Sequence, residues 1–211
     1  GMFTGIIQAI GEIERLEPKG GDVRLAVRAG KLELADAAVG DSIAVNGVCL
    51  TAVAIDGARF MADVSRETLS LTTLGGLGPG SRVNLEKALT LSTPLGGHLV
   101  SGHVDGVGTV LEMAEDGRSW RLQIHAPGEL ARYIAHKGSI CVDGTSLTVN
   151  QIKGSVFDLN IVPHTLAETV IGEYKSGTRV NLEVDLIEGV DVIIPYVETF
   201  NPQHLLLRYR P

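Results

Sequence analysis

Displaced by 97 residues, the chain lies on itself. Gly5 falls on Gly102, Gly11 on Gly108 and Ser42 on Ser139. Val45, Gly47, Leu50 and Thr51 fall on Val142, Gly144, Leu147 and Thr148, and Phe60 falls on Phe157. Thr68-Leu69 returns as Thr165-Leu166, and Gly75 as Gly172. The run Arg82-Val83-Asn84-Leu85-Glu86 returns as Arg179-Val180-Asn181-Leu182-Glu183. The offset never changes, so no net insertion separates the halves. Two copies are too few for a stacked solenoid, which needs at least about three units. The 211 residues therefore divide into two similar domains, residues 1–96 and 97–185, with 186–211 as a tail. The boundary falls in the turn-rich stretch Ser92-Thr93-Pro94-Leu95-Gly96-Gly97.

Within each copy the pattern is that of short strands. Residues 42–55 and 139–152 are rich in Val, Ile, Leu and Thr, with Asn46-Gly47 and Asp143-Gly144 as hairpin turns. Residues 82–86 alternate polar and apolar, as a half-buried strand does. Many short strands punctuated by turns predict a small closed barrel, built twice. One helical stretch per copy is expected, over Ala29–Ala38 and Gly128–Ala135.

Composition removes other classes. A net charge of −7 opposes a nucleic-acid partner and a polybasic membrane anchor. No apolar run approaches the ~18 residues of a spanning helix. The first residues carry no basic segment of a secretory signal, and Cys49 and Cys141 show no CxxC spacing, so a reducing cytoplasm is expected. His98 and His103, five apart, fall on opposite faces of a regular strand, and no histidine spacing suits a metal.

The mismatches between copies locate the chemistry. Asn46 becomes Asp143, Cys49 becomes Ser146, Ile6 becomes His103 and Gly40 becomes Lys137. Each swap sets an acid, nucleophile, base or cation against a different group, as an asymmetric site using both copies requires. Strand alternation puts Cys49 with Thr51, and Ser146 with Thr148, on one face above Leu50 and Leu147.

These residues carry a resemblance. Met2-Phe3-Thr4-Gly5-Ile6-Ile7 resembles the start of riboflavin synthases, and Asn46-Gly47-Val48-Cys49-Leu50-Thr51 the centre of their first barrel. The run from Gly96 to Gly106, with His98 and His103, resembles the start of the second barrel. Lys137-Gly138-Ser139-Ile140, Asp143-Gly144, Ser146-Leu147-Thr148-Val149-Asn150 and Pro163-His164-Thr165-Leu166 complete a match over residues 2–186.

The resemblance implies an all-β chain of two tandem Greek-key barrels with a C-terminal helical tail. It implies a cofactor-independent dismutation: two 6,7-dimethyl-8-ribityllumazine molecules yield riboflavin and 5-amino-6-(ribitylamino)uracil by four-carbon transfer. It further implies a homotrimer, with each site formed between barrels of neighbouring subunits, and association with lumazine synthase. The rival class is a lumazine- or flavin-binding antenna that does not turn over.

The lumazine 7-methyl group is acidic because its anion spreads into the ring. A base near neutrality suffices to deprotonate it, and His103 is the candidate. The nucleophile at C7 is Cys49, a hydroxyl of Ser146, Thr148 or Thr51, or water. Asp143 and Lys137 are candidates for moving protons or holding charge. For binding, the resemblance groups Phe3, Thr4, Gly5, Ile6 and Ile7 with Cys49, Leu50 and Thr51, and with Asp63, Val64, Ser65, Arg66, Glu67 and Thr68. On the second barrel it groups Gly102, His103 and Val104 with Lys137, Ser146, Leu147 and Thr148, and with Asn160, Ile161, Val162, Pro163, His164 and Thr165. Phe3 either stacks on a ring or fills the interface. The tail departs from the family: residues 186–191 look inserted, and the helix there is short, starts at Pro195, which only a first helical turn tolerates, or packs differently.

Overall fold

The computed structural model describes residues 1–185, 190–193 and 206–209. Six strands make the first barrel: β1 (Ala9–Lys19), β2 (Asp22–Arg28), β3 (Ser42–Val45), β4 (Val48–Asp56), β5 (Arg59–Val64) and β6 (Arg82–Lys87). They close antiparallel in the order β1-β2-β5-β4-β3-β6, with β6 back on β1. The crossover from β2 to β3 makes this a Greek key. The second barrel repeats the order with β7 (Gly106–Asp116), β8 (Ser119–His125), β9 (Ser139–Val142), β10 (Thr145–Lys153), β11 (Val156–Ile161) and β12 (Arg179–Val184). Even the register shifts repeat, at Ile13/Arg15 and Val110/Glu112, and at Ala52/Ala54 and Val149/Gln151. Strand alternation fills each barrel: Ile13, Leu25, Val27, Ile43, Phe60 and Leu85 in the first; Val110, Leu122, Ile124, Ile140, Phe157 and Leu182 in the second.

The helical expectation needs correction. Residues 29–38 hold no helix, and residues 128–135 hold only a 3-10 turn, Ala131–Tyr133. The first stretch is the Greek-key crossover. Gly30 is left-handed (φ 59°), and Leu32 and Leu34, two apart, are both buried, a spacing no helix face offers. The helices lie instead at α1 (Arg66–Leu71) and α2 (Pro163–Glu168). Ser65 caps α1 by accepting from the Thr68 amide. In the tail, β13 (Val190–Ile193) pairs antiparallel with β14 (Leu206–Tyr209). The helix expected from Pro195 lies outside the described residues.

The two barrels meet through their β3–β4 and β9–β10 hairpin turns. Both turns are left-handed at both central residues: Asn46 and Asp143 at φ 46°, Gly47 at 79° and Gly144 at 80°. They stand back to back, so a Cβ on Gly47 would come within 2.7 Å of the Gly144 nitrogen. Asn84 of β6 sends its amide Nδ2 to the Asp143 carbonyl (2.9 Å) and accepts from the Val170 amide (2.8 Å). Asn181 of β12 returns the arrangement: Nδ2 to the Asn46 carbonyl (2.9 Å), Oδ1 from the Thr73 amide (2.9 Å). Both side chains are buried, so these bonds satisfy polar groups that would otherwise lack partners.

One pair breaks the symmetry. Asn46 and Asp143 each accept from a β-strand amide, Asn84 and Asn181 respectively, at 2.8 Å. Asp143 also accepts from the Tyr174 hydroxyl at 2.5 Å, where the first copy has Leu77. Burial pushes the Asp143 carboxyl up to about 7, against the pull of the Tyr174 and Asn181 hydrogen bonds. The folded state thus holds the proton more tightly than the unfolded chain does. This part of the stability is fully present below about pH 4 and is lost as pH rises toward about 7. Asp143→Asn copies Asn46: its Oδ1 still accepts from the Asn181 amide, while its Nδ2 donates to the Tyr174 oxygen in place of the bond that Tyr174 now gives. It should flatten that slope and raise stability at pH 8 by up to about 4 kcal/mol, read by denaturant unfolding at pH 5 and pH 8.

Candidate functional site

The hairpin strands β4 and β10 supply the polar face. On β4, Leu50 is buried in the first core, while Cys49 is half-buried and Thr51 exposed. On β10, Leu147 packs on the second core, while Ser146 is half-buried and Thr148 exposed. A cleft of about 320 Å³ opens over β10, at the small end of ligand pockets. Its walls include Lys137, Ser146, Thr148, Asn160, Val162 and Thr165. The corresponding positions on the first barrel are Gly40, Cys49, Thr51, Asp63, Ser65 and Thr68.

The segments that enter each barrel cross to the other one. The Gly5 carbonyl accepts from the Ser146 amide of β10 at 2.7 Å, and the Gly102 carbonyl accepts from the Cys49 amide of β4 at 2.9 Å. The grouping expected from the repeat is therefore corrected. Gly5 and the residues after it border the second barrel's polar face, and Gly102 and His103 border the first. The crossing is pinned where Phe3 and Val100 exchange backbone hydrogen bonds at 2.8 and 3.0 Å. Both glycines are obligatory. Each has positive φ, 80° and 79°, and an added Cβ would lie 2.5 Å from Ser146 Cβ or 2.6 Å from Cys49 Cβ.

The two faces differ in chemistry. On the second, His98 Nδ1 lies 2.6 Å from Ser146 Oγ. Burial lowers the His98 pKa, with Asp185 opposing, which favours a neutral ring paired with a hydroxyl. Sequence reasoning passed over this partnership, because the counterpart of His98 is Gly1 and no mismatch of chemical groups marks it. Lys137 sits at φ 68°, donating its amide to the Val149 carbonyl (2.8 Å), where the first copy uses Gly40 at φ 98°. A lysine at a glycine conformation costs roughly 1–2 kcal/mol and is retained on the cleft wall. On the first face, exposed His103 follows Gly102 beside Cys49.

Two expected residues lie elsewhere. Asp143 is 3% exposed within the seam between barrels and does not line the cleft. Phe3 is fully buried with Ala44, Val100 and Cys141, so of its two readings it takes interface filling. Thr4, Gly5, Leu50, Val64, Gly102 and Ile161 are buried, and they shape the faces from behind. Ile6, Thr51, Asp63, Ser65, Arg66, Glu67, His103, Lys137, Thr148, Asn160, Val162, Pro163 and His164 are exposed; Ile7, Thr68, Val104 and Thr165 are half-buried.

Comparison with known proteins bears on what these faces hold. The lumazine binding domain family matches twice, over residues 4–88 and 101–185. The riboflavin synthase of Photobacterium phosphoreum is 48% identical over 186 residues, 88% of this chain and 85% of that protein. The chain belongs to the riboflavin synthase family. The Mycobacterium bovis riboflavin synthase is 47% identical over 88% of this chain and 94% of its own length. As a member of this family the protein is an enzyme of the transferase class. Among solved structures, LumP complexed with 6,7-dimethyl-8-(1'-D-ribityl) lumazine aligns with a TM-score of 0.77 at 27% identity, covering 86% of this chain and 98% of that one. LumP complexed with riboflavin aligns at 0.80. The two family matches take in both barrels and both polar faces.

Gly102→Ala should cost at least about 2 kcal/mol of stability, from a strained φ and the clash with Cys49. Gly20→Ala, also at positive φ (57°) but with nothing within 4 Å, serves as the control for strain alone. Thermal unfolding of the two variants separates clash from strain.

Proposed function

We propose that the protein catalyses the dismutation of two 6,7-dimethyl-8-ribityllumazine molecules to riboflavin and 5-amino-6-(ribitylamino)uracil. One observation carries this reading: the chain presents two faces of the same strand geometry but different side chains. Like scaffolds suit two copies of one molecule, and unlike groups suit the two different fates of those copies. Two lumazines contain every atom of the two products, so no further reactant is required.

His103, on the segment beside Cys49, takes a proton from the acidic 7-methyl group. Ser146, Thr148, Thr51, Cys49 or a water adds at C7 of the other ring, with His98 available to accept a proton from Ser146. Lys137 holds negative charge building on the ring over β10. Asp143 serves by fixing the seam. Alignment of two large rings supplies much of the acceleration. The residue groups from 63 to 68 and from 160 to 165 hold the pyrimidine edge and the ribityl chain.

We further propose the domain division 1–96, 97–185 and 186–211, a homotrimer in which neighbouring subunits bring a first and a second face together, association with lumazine synthase, and a cytoplasmic location. No helix among the described residues is long and apolar enough to cross a membrane. The likeness to LumP supports a second reading, a non-catalytic lumazine carrier. Incubating the pure protein with lumazine and following flavin absorbance separates the two, because a carrier forms no riboflavin. His103→Ala should lower kcat by roughly 100-fold or more while changing lumazine affinity by less than about threefold. Equal losses in both would make His103 a binding group.

A further inference from the structure

The duplicated run ending in Glu86 and Glu183 is the longest identity between the copies, and the reaction above uses neither glutamate. Both are buried at the inner end of a barrel-closing strand, 3% and 6% exposed. Glu86 Oε1 accepts from the Thr4 amide (2.7 Å) and the Thr4 hydroxyl (2.6 Å), while Oε2 accepts from the Gly5 amide (3.1 Å). Glu183 repeats this on Ser101 and Gly102: Oε1 accepts from the Ser101 amide and hydroxyl, both at 2.7 Å, and Oε2 from the Gly102 amide at 3.0 Å. Each hydroxyl then accepts the next amide but one, Ile6 to Thr4 and His103 to Ser101, both at 3.1 Å. One carboxylate thereby sets three consecutive residues. The middle residue of each three docks its carbonyl on the opposite barrel, Gly5 on Ser146 and Gly102 on Cys49.

We propose that Glu86 and Glu183 are positioning residues that act crosswise: Glu86 of the first barrel builds the wall of the second barrel's ligand face, and Glu183 of the second barrel builds the wall of the first. This rests on the reading of the β4 and β10 faces as lumazine sites. It assigns His103 to the Glu183 chain, so the base over the first face is aimed from the second barrel. Burial raises the pKa of both carboxyls, and the hydrogen bonds from Thr4 and Gly5, or Ser101 and Gly102, pull them back. The glutamates are therefore held by these amides as much as they hold them.

The geometry makes a prediction that a merely structural role does not. A side chain that only supports its own barrel would, when altered, weaken ligand on that barrel. Thr148→Trp fills the β10 cleft and leaves only the first face open; Thr51→Trp leaves only the second. In the Thr148→Trp protein, Glu183→Gln should weaken 6,7-dimethyl-8-ribityllumazine binding about tenfold and Glu86→Gln by less than about twofold. In the Thr51→Trp protein the two effects should exchange. Fluorescence titration with lumazine reads both.

The amide keeps one acceptor oxygen but turns a donor toward Thr4 and Gly5 or their counterparts. Should either amide variant fail to fold, Glu86→Asp and Glu183→Asp carry the same test, because the shorter carboxylate cannot reach both amides. Each substitution weakening its own barrel, or both equally, overturns the crosswise role while leaving the lumazine reading intact. Absence of lumazine binding by the unaltered protein overturns the functional reading, and the crosswise role falls with it.

Discussion

The whole molecule hangs on a contact between two hairpin turns. Asn84 and Asn181 reach across it to each other's turn, each spending a donor on a carbonyl and an acceptor on an amide. A buried amide side chain can meet its carbonyl and its amide together only where those backbone groups stand at fixed places. The pair therefore sets both the distance and the rotation between the barrels. The barrel interiors fold by ordinary strand alternation and would tolerate other relative placements. The seam chooses one, and with it the docking of Gly5 on β10 and of Gly102 on β4. Each docked segment thereby lies beside the polar strand of the barrel it did not come from.

Much of the fold was legible in the residues, for identifiable reasons. The duplication survives as a constant offset because both barrels need the same turns at the same places, Asn46-Gly47 and Asp143-Gly144 above all. Strand alternation around Leu50 and Leu147 was legible because period two persists even in short strands. The helices were not. Six residues carry too little period to see, and residues 29–38 are rich in helix-favouring types that the crossover overrides.

The site was only half legible. Nothing in a repeat says whether a segment lies on its own barrel or on its twin, since backbone hydrogen bonds such as Ser146 to Gly5 leave no side-chain signature. In the sequence, an acid replacing an amide, as Asp143 replaces Asn46, looks the same at a seam as at a site. The companion change of Leu77 to Tyr174 was the signal that distinguishes them, since a buried carboxyl needs a buried donor. Lys137 shows the opposite case. There the substitution works against backbone preference, a lysine standing at positive φ on the cleft wall where the first copy has Gly40.

The Asp143–Tyr174 pair also bears on how such a protein could have arisen. A seam built on Asn46 and Asn84 alone is self-complementary, so one copy of the unit could dock on an identical copy about a two-fold axis. The second copy carries a carboxyl in that place, held by Asn181 and Tyr174. Pairing it with itself would put two such carboxyls, each pushed up to about 7, into one seam, so that ionising both would set two charges in a medium that screens them poorly. A single continuous chain gives each barrel a partner of the other kind, so the seam holds one ionisable carboxyl rather than two.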